Sequence, residues 1–123
     1  MFDKNSINLI CIISLLFVST ELFSQYTLQG IWNSGKDNTM IEVTESNGTI
    51  VGKIKSSDKK DIELGKVILK DLKKEDNTWV GSIYAHQRKE WYDVEISPQD
   101  NVLQLKVSVG FLSKTLIWKK TKG

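Results

Sequence analysis

An all-β fold, an antiparallel up-and-down barrel of about eight strands behind an N-terminal signal peptide, is what this sequence predicts. Three observations carry that expectation. Apolar and polar residues alternate with period two along most of the chain after residue 25. Turn-forming residues recur every 8 to 15 positions, Asn47-Gly48 most clearly. No segment carries a convincing helical repeat, and connections this short place sequential strands side by side and antiparallel. A sheet of that many twisted strands leaves two unpaired edges unless it closes on itself, which favours a barrel over the alternative, a two-sheet sandwich.

Residues 1–24 read as an export signal. Ile7 to Val18, INLICIISLLFV, is broken only by Asn8 and Ser14. Such a run is too short to span a bilayer, which needs about 20 apolar residues, and suits a signal h-region. The expected cleavage point follows Ser24, leaving residues 25–123 as one exported domain, periplasmic or extracellular, with no integral membrane span. Cys11 departs with the signal, and Ile10 before it does not fit a lipoprotein site.

The whole chain carries 17 Lys and Arg against 15 Asp and Glu, a net charge of +2. Losing Lys4, Asp3 and Glu21 with the signal moves the balance to one further positive charge. A balance so near neutral lacks the footprint of a nucleic-acid binder. One His and one Cys exclude His/Cys metal cages and disulfide frameworks. No cofactor is implied.

The strands follow in order. A short one is expected within Tyr26 to Asn33. Thr39 to Glu45 places Ile41 and Val43 on one face against Met40, Glu42 and Thr44. Asn47-Gly48 supplies the two positive φ values of a type I′ turn, and Thr49 to Lys55 returns with Ile50, Gly52 and Ile54 together. Asn47-Gly48-Thr49 also fits a glycosylation sequon, although the turn alone accounts for it. In LGKVILKDL, Leu64, Ile68 and Leu72 would share a helical face, but Gly65 and β-branched Val67 and Ile68 favour a strand. KKEDN is expected as a turn and Thr78 to Ala85 as a strand. Trp91 to Ser97 has Tyr92, Val94 and Ile96 opposite Trp91, Asp93 and Glu95. Pro98 to Asn101 turns the chain into Val102 to Val109, with Leu103, Leu105, Val107 and Val109 on one face. Thr115 to Lys120, with Leu116 and Trp118 together, completes the set.

Gly30-Ile31-Trp32 has the G-x-W form that opens lipocalin-type barrels. With IEV at 41–43, NGTIVGKI at 47–54, GKVILKDLKK at 65–74, LKVSVGF at 105–111 and TLIWKK at 115–120, residues 30–120 resemble the bacterial secreted family catalogued as domain of unknown function 2147. The resemblance implies a lipocalin-like, exported protein without an established activity. The chain departs from the family pattern twice. His86 to Glu90 stands where a Pro-acidic-Gly turn is usual, and Trp118-Lys119-Lys120 replaces Trp-x-Arg, so the role of that Arg falls to Lys120. First and last strands meet when a barrel closes. Gly30, Trp32, Trp118 and Lys120 are therefore expected at the seam, with the ammonium over the Trp32 indole contributing about 0.5–2 kcal/mol.

Candidate chemistry is sparse. His86 lies in a polar loop with no nucleophile pattern beside it. Asp93 and Glu95, two apart, fit an outward polar face better than a catalytic pair. No phosphate-loop, nucleophile-elbow or dinucleotide motif is present. An enzyme is not expected; binding is. If Ile54, Tyr84, Tyr92, Val94, Leu105 and Val107 line the barrel beside Ile41 and Val43, they form an apolar site with two phenolic hydroxyls for a small apolar or amphiphilic ligand. Mid-strand Gly52 and Gly81 would leave room or allow a bend. A fully packed core fits the same residues equally well. The alternative function is envelope protein–protein interaction through the outer surface, using an apolar patch of Trp91 and Ile117.

Overall fold

The computed structural model describes residues 27–121. The expected signal peptide, its cleavage point after Ser24, and Tyr26 lie outside them. Period-two alternation produces eight strands: β1 (Gly30–Asn33), β2 (Met40–Ser46), β3 (Thr49–Ser56), β4 (Val67–Glu75), β5 (Thr78–Ala85), β6 (Glu90–Pro98), β7 (Val102–Val109) and β8 (Leu112–Lys120). They form a closed antiparallel barrel in sequence order. Closure is made by Trp32 opposite Lys120 and Asn33 opposite Lys119. There is no helix among the described residues. The segment open to a helical reading is β4, and Leu64 falls in the loop before it, 61% exposed.

The β2–β3 hairpin is built as its turn chemistry requires, with Asn47 at φ 54° and Gly48 at φ 80°. The expected KKEDN turn is shorter than the sequence reading gave. Lys73, Lys74 and Glu75 remain paired with Val80, Trp79 and Thr78, and only Asp76-Asn77 turns. The run of charges that suggests a loop is compatible with strand because Lys73, Lys74 and Glu75 are all exposed, so side chains of either parity reach water.

Inward positions are those the alternation selects. Ile41, Val43, Ile50, Ile54, Leu69, Ile83, Val94, Ile96, Leu103, Leu105, Val107 and Trp118 are buried. The two mid-strand glycines do not leave empty space. Gly52 faces Leu69, whose Cβ and Cδ1 would sit 3.0 Å from an added Cβ. Opposite Gly81 the β4 register slips between Lys70 and Lys73, with Asp71 at φ 55°. Two β4 residues there face one of β5, which is a β-bulge. Leu72 Cδ2 and the Lys70 carbonyl oxygen would each lie 2.7 Å from a Cβ on Gly81. Glycine here admits the bulge rather than a ligand.

The two poles of the barrel differ. At one, the tight turns at 47–48, 76–77 and 99–101 surround the chain entering β1 and leaving β8. This pole is sealed: Trp32 is 1% exposed, its indole Nε1 donates to the Leu28 carbonyl at 2.9 Å, and Leu28 is itself buried. At the other pole lie loops 34–39, 57–66, 86–89 and 110–111. Loops 34–39 and 57–66 are tied together there. The Asp58 amide donates to the Asp37 carbonyl at 2.9 Å, and the Thr39 and Ser57 hydroxyls are 2.7 Å apart.

Candidate functional site: the open pole

The pole opposite Trp32 opens into a cavity with two lobes. One, of about 290 Å³, has a floor of Ile41, Ile54, Ile68, Ile83 and Trp118. The other, of about 440 Å³, runs over Tyr92, Val107, Val109 and Leu112. Ile83, Lys114 and Leu116 border both. Such volumes sit at the small end of the roughly 300–1,000 Å³ usual for ligand sites. The interior is thus divided: side chains fill the half next to Trp32, and space remains beneath the opposite rim.

The residues expected to bind ligand separate accordingly. Ile54 lines the smaller lobe, and Tyr92 and Val107 the larger. Val94 and Leu105, 3% and 0% exposed, belong to the packed half and line neither lobe. Tyr84 is a correction. It pairs in register with outward Trp91, while its neighbour Ile83 pairs with inward Tyr92. Its ring therefore lies on the outer wall, edge-to-face with Trp91 at a centroid distance of 5.4 Å. Lys66 Nζ stands 3.9 Å from the Tyr84 ring centre and Lys70 Nζ 4.2 Å from that of Trp91. Tyr84 borders both lobes at the rim, from the outer wall. The remaining phenol, Tyr92, donates to Glu90 Oε2 at 3.1 Å.

The seam residues stand where expected. Gly30 opens β1 opposite Val43, and Lys120 Cε would lie 3.6 Å from a Cβ placed on it. Trp118 is buried, and Lys120 Nζ is 5.9 Å from the Trp32 ring centre, at the outer reach of a cation–π contact. The proposed Trp91–Ile117 patch does not form. Ile117 is level with Gln104 and, through it, Ser97, six residues along β6 from Trp91. At about 3.3 Å per residue they are roughly 20 Å apart along the wall. The exposed apolar residues at the open pole are instead Leu64 on loop 57–66, Phe111 on the β7–β8 turn and Leu112 at the start of β8.

One side chain at the mouth escaped the sequence reading. Lys114 pairs with buried Val107, so on β8 it shares the inward face with Leu112, Leu116 and Trp118. Starting that strand at Thr115 hid it; extending the alternation back through LSK exposes it. Around it the rim carries Lys36, Lys59 and Arg88, with Asp37, His86 and Gln87. Asp93 and Glu95 lie on the exposed outer wall, paired with Ser82 and Val80, away from the cavity. Among the described residues, no group of three or more His, Cys, Asp or Glu is placed to hold a metal ion.

A sealed pole, an open pole and eight antiparallel strands in sequence order define a closed up-and-down β-barrel. The chain belongs to a family of uncharacterized proteins conserved in bacteria, domain of unknown function 2147, whose model matches residues 30–120. No curated protein and no solved structure matches it.

Proposed function

We propose that this protein is an exported, non-enzymatic carrier that holds a small apolar or amphiphilic molecule beneath the open pole of its barrel. The observation that carries this reading is the two-lobed cavity over Ile41, Ile54, Ile68 and Ile83, in a barrel whose other half is packed. Export is supported by the leader-like run Ile7 to Val18. A non-enzymatic role is supported by the carboxylate pair Asp93 and Glu95, which stand on the outer wall and line neither lobe. Titration of purified protein with a fluorescent fatty-acid probe tests the reading. Saturable binding, displaced by unlabelled amphiphiles and weakened by filling the cavity at Leu116, is the expected result. No uptake across simple alkyl compounds would overturn it.

A second reading, docking of an envelope protein, is favoured by Phe111 and Leu112, which are 107% and 76% exposed at the rim. Cross-linking from position 111 in the native envelope separates the two, because a carrier yields no stoichiometric protein partner.

A further inference from the structure

The rim has a chemistry of its own. Lys114 occupies an inward register on β8, a position that on the same strand otherwise holds Leu112, Leu116 and Trp118. It borders both lobes, so its side chain stands where they meet. A lysine there lays its methylene stem along the apolar wall and keeps its ammonium at the aqueous mouth. Lys36, Lys59 and Arg88 border the same opening from three loops, 34–39, 57–66 and 86–89. The acids at this pole are Asp37, in the lining of the smaller lobe, Glu90, which accepts from the Tyr92 hydroxyl, and Asp58, Asp61 and Glu63 on loop 57–66, which line neither lobe. The floor below is apolar, four isoleucines and Trp118. Positive charge at the mouth and hydrocarbon at the base form a polarised container.

We infer that the ligand is an amphiphile with an anionic head group, a carboxylate or a phosphate-type ester. The head lies at Lys114 within reach of the rim cations, and the tail points down onto Ile41, Ile54, Ile68 and Ile83. This rests on the carrier reading and adds the sign of the head group and the direction of insertion. Charge-assisted contacts at a half-open mouth give selectivity of moderate size, sensitive to salt.

The test is isothermal titration of the purified protein with three compounds of one chain length: an alkyl carboxylate, the alkyl alcohol and the alkyl trimethylammonium. An alkyl phosphate forms a further arm that separates the two anionic heads. The carboxylate or the phosphate is expected to bind about tenfold more tightly than the alcohol, with the cationic compound weakest. That advantage should shrink when salt is raised from about 0.01 M to 1 M, as the screening length falls from about 30 Å to 3 Å. Lys114→Met should weaken anion binding about fivefold and leave the alcohol within about twofold. Should Lys114→Met not fold, the loop variant Lys36→Gln/Lys59→Gln gives the same comparison. Equal binding of alcohol and anions, or equal loss of both in the variants, overturns the inference while leaving the carrier standing. Failure of all the compounds to bind overturns both.

Discussion

Trp32 and Lys120 are register partners across the seam that closes the barrel, with the Lys120 Nζ 5.9 Å from the indole centre. The two contribute unequally. The indole is buried and anchored on the Leu28 carbonyl, whereas Lys120 is exposed. Trp32→Ala removes a large core side chain and strands that carbonyl, at a cost of about 3–5 kcal/mol. At about 4–8 °C per kcal/mol for a domain of this size, the melting temperature should fall by more than about 12 °C. Lys120→Met should change stability by less than about 1 kcal/mol. An unchanged melting temperature for Trp32→Ala would remove its role as the seal.

Gly81 and Gly48 fail for different reasons when replaced by alanine. At Gly81 the new Cβ would meet Leu72 Cδ2 and the Lys70 carbonyl at 2.7 Å, so the bulge must shift, costing about 1–3 kcal/mol. At Gly48 nothing lies within 4 Å, and the φ of 80° alone costs about 1–2 kcal/mol. Adding Leu72→Ala should recover part of the Gly81→Ala loss and none of the Gly48→Ala loss. A urea-unfolding double-mutant cycle reads the coupling directly.

The division of the interior predicts opposite responses to added bulk. Leu105, fully buried in the packed half, should not accept Trp without a loss of about 1–3 kcal/mol or more. Leu116→Trp extends into space bordering both lobes and should cost under about 1.5 kcal/mol while weakening probe binding. Denaturant midpoints alongside probe titrations check both halves. Equal destabilisation by the two would mean that the cavity is not available to side chains.

The Thr39–Ser57 hydroxyl contact is the side-chain tie between two rim loops. Thr39→Val keeps the shape and removes the bond, a loss of about 0.5–1.5 kcal/mol. Amide exchange should accelerate in residues 34–39 and 57–66 and stay unchanged in β6 and β7. Uniform acceleration throughout the barrel would contradict a local tie.

Sequence alone reveals the barrel wherever one wall faces oil and the other water. Val102 to Val109 shows this most cleanly, since every second residue is aliphatic and the register to both neighbours follows. Periodicity loses force where the pattern carries no contrast. In Thr78 to Ala85 both Ile83 and Tyr84 are apolar, and only pairing with Trp91 decides that Tyr84 points outward. At Asp71-Leu72 the β-bulge resets the alternation, and a local pattern cannot announce a slip whose cause, Gly81, lies on the next strand. Lys114 was missed because a charged residue at a mouth looks like a strand end. The cavity itself is a difference between the barrel's interior and the sum of its side chains, a property of all eight strands at once.

Residues 28–31 and Thr121 come together at the sealed pole, where the Thr121 amide donates to the Ile31 carbonyl at 2.9 Å. Anything joined to either end of the barrel, whether a surface linker on a sensor chip or a fused fluorescent domain, therefore hangs behind the molecule. The mouth with Lys114 stays turned toward the bulk, open to solutes while the polypeptide is held fast.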